Sequence, residues 1–176
     1  MSIPSSDLDA IGQVNPAGEA MAHELQAIHR LIRANLASIR KLMDEIVAGA
    51  EVSDIRQEID ELRSSGIVWT LRLGCLRYCR FVHGHHGLED AALFPGIRRV
   101  NPALSPVIDK LIADHRVVAS LLDQIERAAT ALEIVPEARG DLAAGLSSLS
   151  DHLLAHLDYE EENLVPTLSR LSEWPL

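Results

Sequence analysis

The sequence predicts an all-α protein, an antiparallel four-helix bundle, and three observations lead to this prediction. The composition is 47% hydrophobic but only 3% aromatic, so Leu, Ile, Val and Ala dominate, which suits helices packed on helices more than sheets. Apolar residues recur at three- and four-residue steps, the spacing of one buried helix face. The connections between these segments are short, which makes neighbouring helices antiparallel.

The first two long helices are predicted from their apolar stripes and their ends. The first spans Glu19 to Val47, and the second spans Ile67 to Leu93. The stripe of the first helix is formed by Leu25, Ile28, Ile32, Leu36, Ile39, Met43 and Ile46. The second helix is expected to stop at Phe94-Pro95-Gly96, because proline disfavours helical backbone in the residue before it.

The last two long helices follow after short proline-containing connections. Ser105 is the predicted N-cap of the third helix, with Pro106 at its first position, and this helix runs to Leu132. The fourth helix is predicted from Pro136 to Leu164, and Pro166 marks a final turn.

Two further segments complete the predicted organisation. Gly49 ends the first long helix, and "SDIRQEIDELRSSG" then predicts a short connecting helix, near Asp54 to Arg63, with Ser53 as its N-cap. Residues 1–18 contain prolines and glycines with little periodicity and are interpreted as an N-terminal extension. Residues 19–176 then form a single domain.

Charge and cysteine usage exclude several classes of partner. Sixteen Lys and Arg against twenty-six Asp and Glu give a net charge of −10, which would repel nucleic acid and anionic membrane surfaces. Neither partner is expected. The chain lacks a signal-peptide pattern and a membrane-spanning apolar run, so we expect a cytoplasmic protein. Cys75 and Cys79 lie one helical turn apart, which suits a disulfide poorly, and are predicted to be reduced core residues.

One motif occurs twice along the chain. "HHGLEDAALFP" begins at His85 and "HLDYEEENLVP" begins at His156, 71 residues later. In both, a Glu follows four residues after the His, and a Pro follows ten residues after it. The segments "HRLIRANLASI" from His29 and "HRVVASLLDQI" from His115 form a second repeat, at a distance of 86 residues. The sequence therefore predicts two helical hairpins related by a pseudo-twofold axis.

These repeats bring together residue types that bind metals. A helix turns by roughly 100° per residue, so a His and a Glu four residues apart lie within about 40° on one face. Together with one His from each of the other two helices, they converge in the bundle centre. Four imidazoles and two carboxylates suit a pair of transition-metal ions, since carboxylates can bridge two cations. The candidate metal ligands are His29, His85, Glu89, His115, His156 and Glu160.

The arrangement resembles the hemerythrin-like family, the HHE cation-binding domain, in its variants written H, HxxxE, H, HxxxE, over about Glu19 to Leu171. The resemblance implies that the six candidates ligate a non-haem di-iron centre with the two glutamates bridging. Zinc in the same ligands is possible in a purified sample. Animal hemerythrins carry two histidines one turn apart on the third helix, whereas Leu111 and Ala119 occupy the corresponding positions around His115. This difference argues against reversible oxygen carriage of the animal type.

Several polar residues near the motifs are predicted to lie outside the centre. His23 and His83 fall on the far sides of their helices and are expected at the surface. His86 is one residue off the ligand face, so it is expected at the rim or surface. Asp90 and Glu161 follow the motif glutamates and are interpreted as solvated charges that point away from the centre.

Two residues have two interpretations each. His152 lies one turn before His156, so it is either a further ligand or a hydrogen-bond donor to Glu89 or Glu160. Tyr78 lies two turns before His85 and faces inward. It is either a core tyrosine bonded to a backbone carbonyl or a phenol close enough to the metals to hydrogen-bond a bound oxygen species or to ligate iron.

Three functions are compatible with this ligand set. The first is a metal-binding protein whose di-iron centre binds or senses a small ligand, namely dioxygen, nitric oxide or peroxide. The second is an enzyme, a di-iron oxidoreductase that turns over peroxide or nitric oxide. The third is an iron store or donor. We favour binding or sensing over turnover, and the sequence indicates no particular protein partner.

Overall fold

The computed structural model describes residues 11–50, 57–132 and 138–176, and these residues are almost entirely helical and contain no strand. The four long helices are α1 (Pro16–Ala50), α2 (Gln57–Leu88), α4 (Ser105–Ala131) and α5 (Ala138–Leu168). Between α2 and α4 lie a π-helical turn (Glu89–Leu93), the short helix α3 (Phe94–Val100) and a 3-10 turn (Pro102–Leu104).

The four long helices form a closed antiparallel bundle. Helix α1 packs against α2 and α5, and α4 packs against the same two helices on the other side. Arg33 of α1 donates to Asp158 of α5, and Arg40 donates to Ser150, so the two helices run in opposite directions. The predicted all-α four-helix bundle is confirmed. Among the described helices, none combines the length and the apolar character that crossing a membrane requires.

The buried apolar residues form two clusters. The members of the large cluster that lie nearest in sequence to the candidate ligands are Ile32, Val82, Val118 and Leu157. The corresponding members of the small cluster are Leu25, Leu93, Leu111 and Leu164. On every long helix the candidate ligands therefore lie close to the boundary between the two clusters. The bundle thus contains a layer of polar residues, formed by the candidate ligands, with apolar packing at both ends. We call it the polar layer.

Helical backbone continues past Pro95 to Val100 through the π-helical turn and α3, so the predicted stop at Phe94-Pro95-Gly96 was wrong. The π-helical turn begins at Glu89, and the backbone N–H of Phe94 donates to the carbonyl of Glu89. Pro95 then falls in the first turn of α3, where its missing N–H leaves no helical hydrogen bond unmade. The chain leaves the helical conformation only at Asn101, which has φ −137°.

Other predicted boundaries also shift. The residues from Gln57 onward that were assigned to a short connecting helix are helical, but they continue into α2 without a break. Ser53 and Pro136 lie outside the described residues. Ser105 is not the N-cap of α4, because Leu104 takes that position and the Ser105 hydroxyl donates to the carbonyl of Pro102 at 2.8 Å. Pro166 lies inside α5 and does not form a separate final turn.

The start of α1 is fastened to the end of α5. Asn15 caps α1, because its side-chain oxygen accepts the N–H of Gly18 at 3.0 Å. The backbone N–H of Asn15 donates to the carbonyl of Ser169 at 3.1 Å. A Cβ atom at Gly18 would lie 2.3 Å from the Ser169 backbone, so the close approach of the two helices requires glycine here.

Candidate metal centre

The six residues predicted as metal ligands lie together in the polar layer. All six are buried, and their exposed fractions range from 0% for His29 and Glu160 to 9% for His85. One His comes from each of the four long helices, and Glu89 and Glu160 come from the π-helical turn and from α5. Their assignment as ligands remains a prediction, which the following geometry supports.

The four imidazoles form two pairs. The Nε2 atoms of His29 and His85 lie 3.1 Å apart, and we call these residues the His29 pair. The Nε2 atoms of His115 and His156 also lie 3.1 Å apart, and we call these the His115 pair. Each pair joins the two helices of one hairpin, as the repeats in the sequence predict. Two ring nitrogens that converge in each half of the layer suit one cation per pair.

The two glutamates each face both pairs. Oε1 of Glu89 lies 3.1 Å from Nε2 of His85, and its Oε2 lies 3.5 Å from Nε2 of His115. Oε2 of Glu160 lies 3.7 Å from Nε2 of His29 and 3.5 Å from Nε2 of His156. A carboxylate that bridges two cations requires this placement between the two sets of nitrogens.

The donor set fits transition-metal cations. Among the described residues, no donor other than the partner carboxyl hydrogen-bonds an oxygen of Glu89 or of Glu160, and leaving ionised buried carboxylate oxygens without a partner is costly. Ligand atoms of His29, His85 and Glu89 lie within 4.8 Å of one another, as do those of Glu89, His115 and Glu160. Cations placed among these atoms would supply the missing partners.

A carboxylate stands behind one imidazole of each pair. Nδ1 of His29 lies 2.9 Å from Oε1 of Glu161, and Nδ1 of His115 lies 2.9 Å from Oδ1 of Asp90. We call Glu161 and Asp90 the outer carboxylates. When Nδ1–H donates to the carboxylate, Nε2 keeps its lone pair directed into the centre. Asp90 is exposed, as predicted, and Glu161 is 22% exposed, but each contacts a candidate ligand, which their interpretation as solvated charges did not include.

Burial sets the protonation states of the site. It lowers the pKa of His29 to about 4 and the pKa of His85 and of His156 to about 3. These imidazoles are therefore neutral at pH 7, the form that ligates metals. Burial also raises the pKa of Glu89 and raises the pKa of Glu160 to about 8. Without a cation, the pair of carboxyls therefore holds a proton at neutral pH.

His86 belongs to the centre, and its expected position at the rim was wrong. It is only 5% exposed, and its ring stacks on the ring of His115 with centroids 4.0 Å apart. Its Nε2 atom has no hydrogen-bond partner in the part of the chain that the structure describes. On a helical wheel, His85 lies about 40° from Glu89 in one direction and His86 lies about 60° from it in the other. A wheel centred on Glu89 instead of His85 would therefore have predicted His86 in the layer.

The remaining histidines lie outside the layer. His152 is exposed, so it is neither a ligand nor a donor to the glutamates, and both of its predicted roles were wrong. His23 is exposed, as predicted. The His83 side chain is 39% exposed and lies 3.6 Å from Asp123, which agrees with its predicted surface position.

Tyr78 and the two cysteines are buried in the large apolar cluster. The Tyr78 hydroxyl has no hydrogen-bond partner among the described residues, so the predicted bond to a backbone carbonyl is not formed within them. Tyr78 lines a cavity of about 430 Å³ between α1 and α2, and burial raises the pKa of its phenol. Cys75 and Cys79 are free and buried, as predicted, and burial raises the pKa of both thiols to about 12.

Fold and site together define a helical-bundle protein with a buried histidine and carboxylate cluster able to hold metal cations. The family profile described as "Hemerythrin HHE cation binding domain" matches residues 20–168, and the chain belongs to this family. The resemblance seen in the H, HxxxE, H, HxxxE pattern is thereby confirmed. No curated protein and no solved structure matches the chain significantly.

Proposed function

We propose that this protein holds a non-haem di-iron centre in the polar layer and uses it to bind or sense dioxygen, nitric oxide or peroxide. One observation carries the proposal: each of the two glutamates has carboxylate oxygens within 3.7 Å of a ring nitrogen from both imidazole pairs. A single cation would leave half of these donors without a partner. Two cations would use all of them.

The residues of the chain prepare the site for cations in three ways. Burial keeps the imidazoles neutral, so their Nε2 lone pairs are available without loss of a proton. The outer carboxylates Glu161 and Asp90 fix the tautomer and the orientation of His29 and His115. Glu89 and Glu160 place negative charge between the two pairs. Iron, when bound, would supply a redox-active cation with affinity for small oxygen and nitrogen ligands.

The packing around the layer favours a small ligand. Leu25, Leu111 and Leu164 belong to the small cluster at one end, and Ile32, Val82 and Val118 belong to the large cluster at the other. All are buried, so a bulky substrate would have to displace core side chains to reach the cations. A diatomic molecule or peroxide needs far less space. The apolar clusters would also keep bulk water away from the bound ligand.

Anaerobic loading with ferrous iron tests this function. We expect two iron ions per chain and a ligand-to-metal absorption band that appears on exposure to air, nitric oxide or peroxide. A protein that takes up fewer than two ions per chain in excess ferrous iron would contradict the paired centre. Sustained turnover of peroxide or nitric oxide would instead indicate a di-iron oxidoreductase, and loss of iron on dialysis would indicate a store or donor.

A further inference from the structure

His86 is a buried imidazole for which the six-ligand centre gives no role. Within residues 11–50, 57–132 and 138–176 its Nε2 atom has no hydrogen-bond partner, although the residue is only 5% exposed. Ring nitrogens of His86, His115 and His156 lie within 4.8 Å of one another. A buried donor or acceptor without a partner costs free energy, so a residue that served only for packing would be better replaced by an apolar one.

We infer that His86 is a seventh metal ligand, which makes the two cation positions unequal. The position at the His115 pair then has three imidazoles, from α2, α4 and α5, while the position at the His29 pair has two. This inference rests on the proposed paired metal centre and goes beyond it, because the repeated motif provides each half with the same ligands.

The repeat itself shows where the symmetry is broken. The 71-residue shift that relates His85 to His156 places Leu157 at the position of His86. Leu157 is fully buried in the large apolar cluster, so the fold accepts an apolar side chain at this position. The outer carboxylates, by contrast, follow the same shift, from Asp90 to Glu161. His86 is therefore an added donor on one side of an otherwise twofold layer.

The contacts of His86 direct it to one pair. Its ring lies nearly parallel to the ring of His115, at an angle of 8°, and its centroid lies 5.1 Å from that of His156. The ring of His85 is farther away, with centroids 5.6 Å apart. A cation at the His115 pair would thus be within reach of a third nitrogen. Because an added nitrogen ligand raises affinity, we expect this position to fill first.

Titration of the apo protein with cobalt(II) tests the inference, because the visible bands of cobalt report the number and type of its ligands. We expect the wild type to bind two ions in two steps, with the first step at least tenfold tighter. His86→Phe keeps an aromatic ring against His115 but removes the nitrogen. We expect it to weaken the tighter step at least tenfold and to change its spectrum. His83→Ala, an exposed histidine on the same helix, serves as the matched control and should change neither step.

The outcomes separate the seventh ligand from the centre itself. A His86→Phe variant with both steps and both spectra unchanged would overturn the role of His86 and leave the paired site intact. A wild type that binds no cobalt would overturn both. A second measurement needs no variant: proton NMR of the cobalt-loaded wild type should show one strongly shifted exchangeable imidazole proton for each of His29, His85, His86, His115 and His156. Absence of the His86 signal would contradict the inference.

Discussion

At the scale of single residues, the outer carboxylates control the direction in which two imidazoles present their nitrogens. Glu161 accepts from His29 and also from Arg33, at 2.7 Å, so its position is fixed from two sides. Its side chain is 22% exposed, so solvent partly reaches the contact and weakens its electrostatic contribution. Such a contact contributes to metal binding mainly by holding the ring in one orientation and one tautomer.

Glu161→Ala is therefore expected to weaken metal binding by roughly 10- to 100-fold without preventing folding, because His29 loses the acceptor of its Nδ1–H. Competition with a chelator measures this affinity. Glu162→Ala is the matched control, since Glu162 is the neighbouring residue on α5 and is exposed. Equal affinities in the two variants would show that Glu161 does not orient His29.

The motif glutamates are expected to behave differently from the outer carboxylates. Because Glu89 and Glu160 each face both imidazole pairs, replacing either by Ala removes a donor from both cation positions. We expect fewer than two iron ions per chain in each variant, measured by metal analysis after anaerobic loading. If either variant kept two ions and an unchanged spectrum, the bridging role would be excluded for that residue.

The candidate ligands could be predicted from the sequence because the repeat displays them twice. His86 has no counterpart in the second half, where Leu157 stands, so the repeat gave no indication of it. Asp90 and Glu161 are repeated, but their role depends on the neighbouring helix, which carries His115 or His29. A helical wheel of one helix shows which residues share a face and does not show which partner that face meets.

At the scale of elements, periodicity predicted the four long helices, and local stop signals predicted their ends less well. Helix α4 spans Ser105–Ala131, close to the predicted range. Pro95 did not end the helical backbone. The π-helical turn at Glu89–Leu93 shifts the hydrogen-bond register, so Pro95 falls in the first turn of α3. Such a turn inserts one residue into the helical repeat and is common at functional sites. The turn begins at the candidate ligand Glu89. Its position depends on the tertiary packing of the centre, which local sequence patterns do not describe.

The contact between the start of α1 and the end of α5 gives a prediction at this scale. Gly18→Ala would place a Cβ atom 2.3 Å from the Ser169 backbone, so the two segments must separate. We expect a loss of about 1–3 kcal/mol, or a fall in Tm of roughly 3–10 °C, measured by circular dichroism. At Gly140 a Cβ would meet no atom of another described segment within 4 Å, and Gly140→Ala should be neutral or stabilising by up to about 1 kcal/mol. Equal Tm values in both variants would contradict the close contact.

At the scale of the whole molecule, the bundle has a layer of ionisable groups near the middle of its core. Apolar clusters lie at both ends of this layer, so water cannot solvate the carboxylates of Glu89 and Glu160. Their raised pKa values express this cost, because the neutral forms are the ones that the core accepts. Cations remove the cost by pairing with the ionised forms. We therefore expect metal binding and folding to be coupled in this protein.

Proton release is the first consequence of this coupling. In the folded apo protein the pKa of Glu160 is raised to about 8, so the proton bound at pH 7 must leave when a cation binds. Protons compete with the metal for the imidazoles only in more acidic solution, because the pKa values of His29, His85 and His156 lie near 3 to 4. We therefore expect metal affinity to rise with pH up to about 8. Calorimetry at pH 7 in two buffers of different ionisation enthalpy measures the released proton, and identical heats would contradict it.

Thermal unfolding with and without metal tests the coupling for the molecule as a whole. A ligand that binds only the folded state stabilises it by about 2.7 kcal/mol at a concentration 100 times its Kd, and by about 4 kcal/mol at 1,000 times. For a chain of this size, that corresponds to a rise in Tm of roughly 5–15 °C. A variant that combines Glu89→Ala with Glu160→Ala should lose most of this rise, because the paired site is gone and the buried carboxyls no longer require a partner. If the wild type melted at the same temperature with and without iron, the bound metal would lie at the surface and not in the layer.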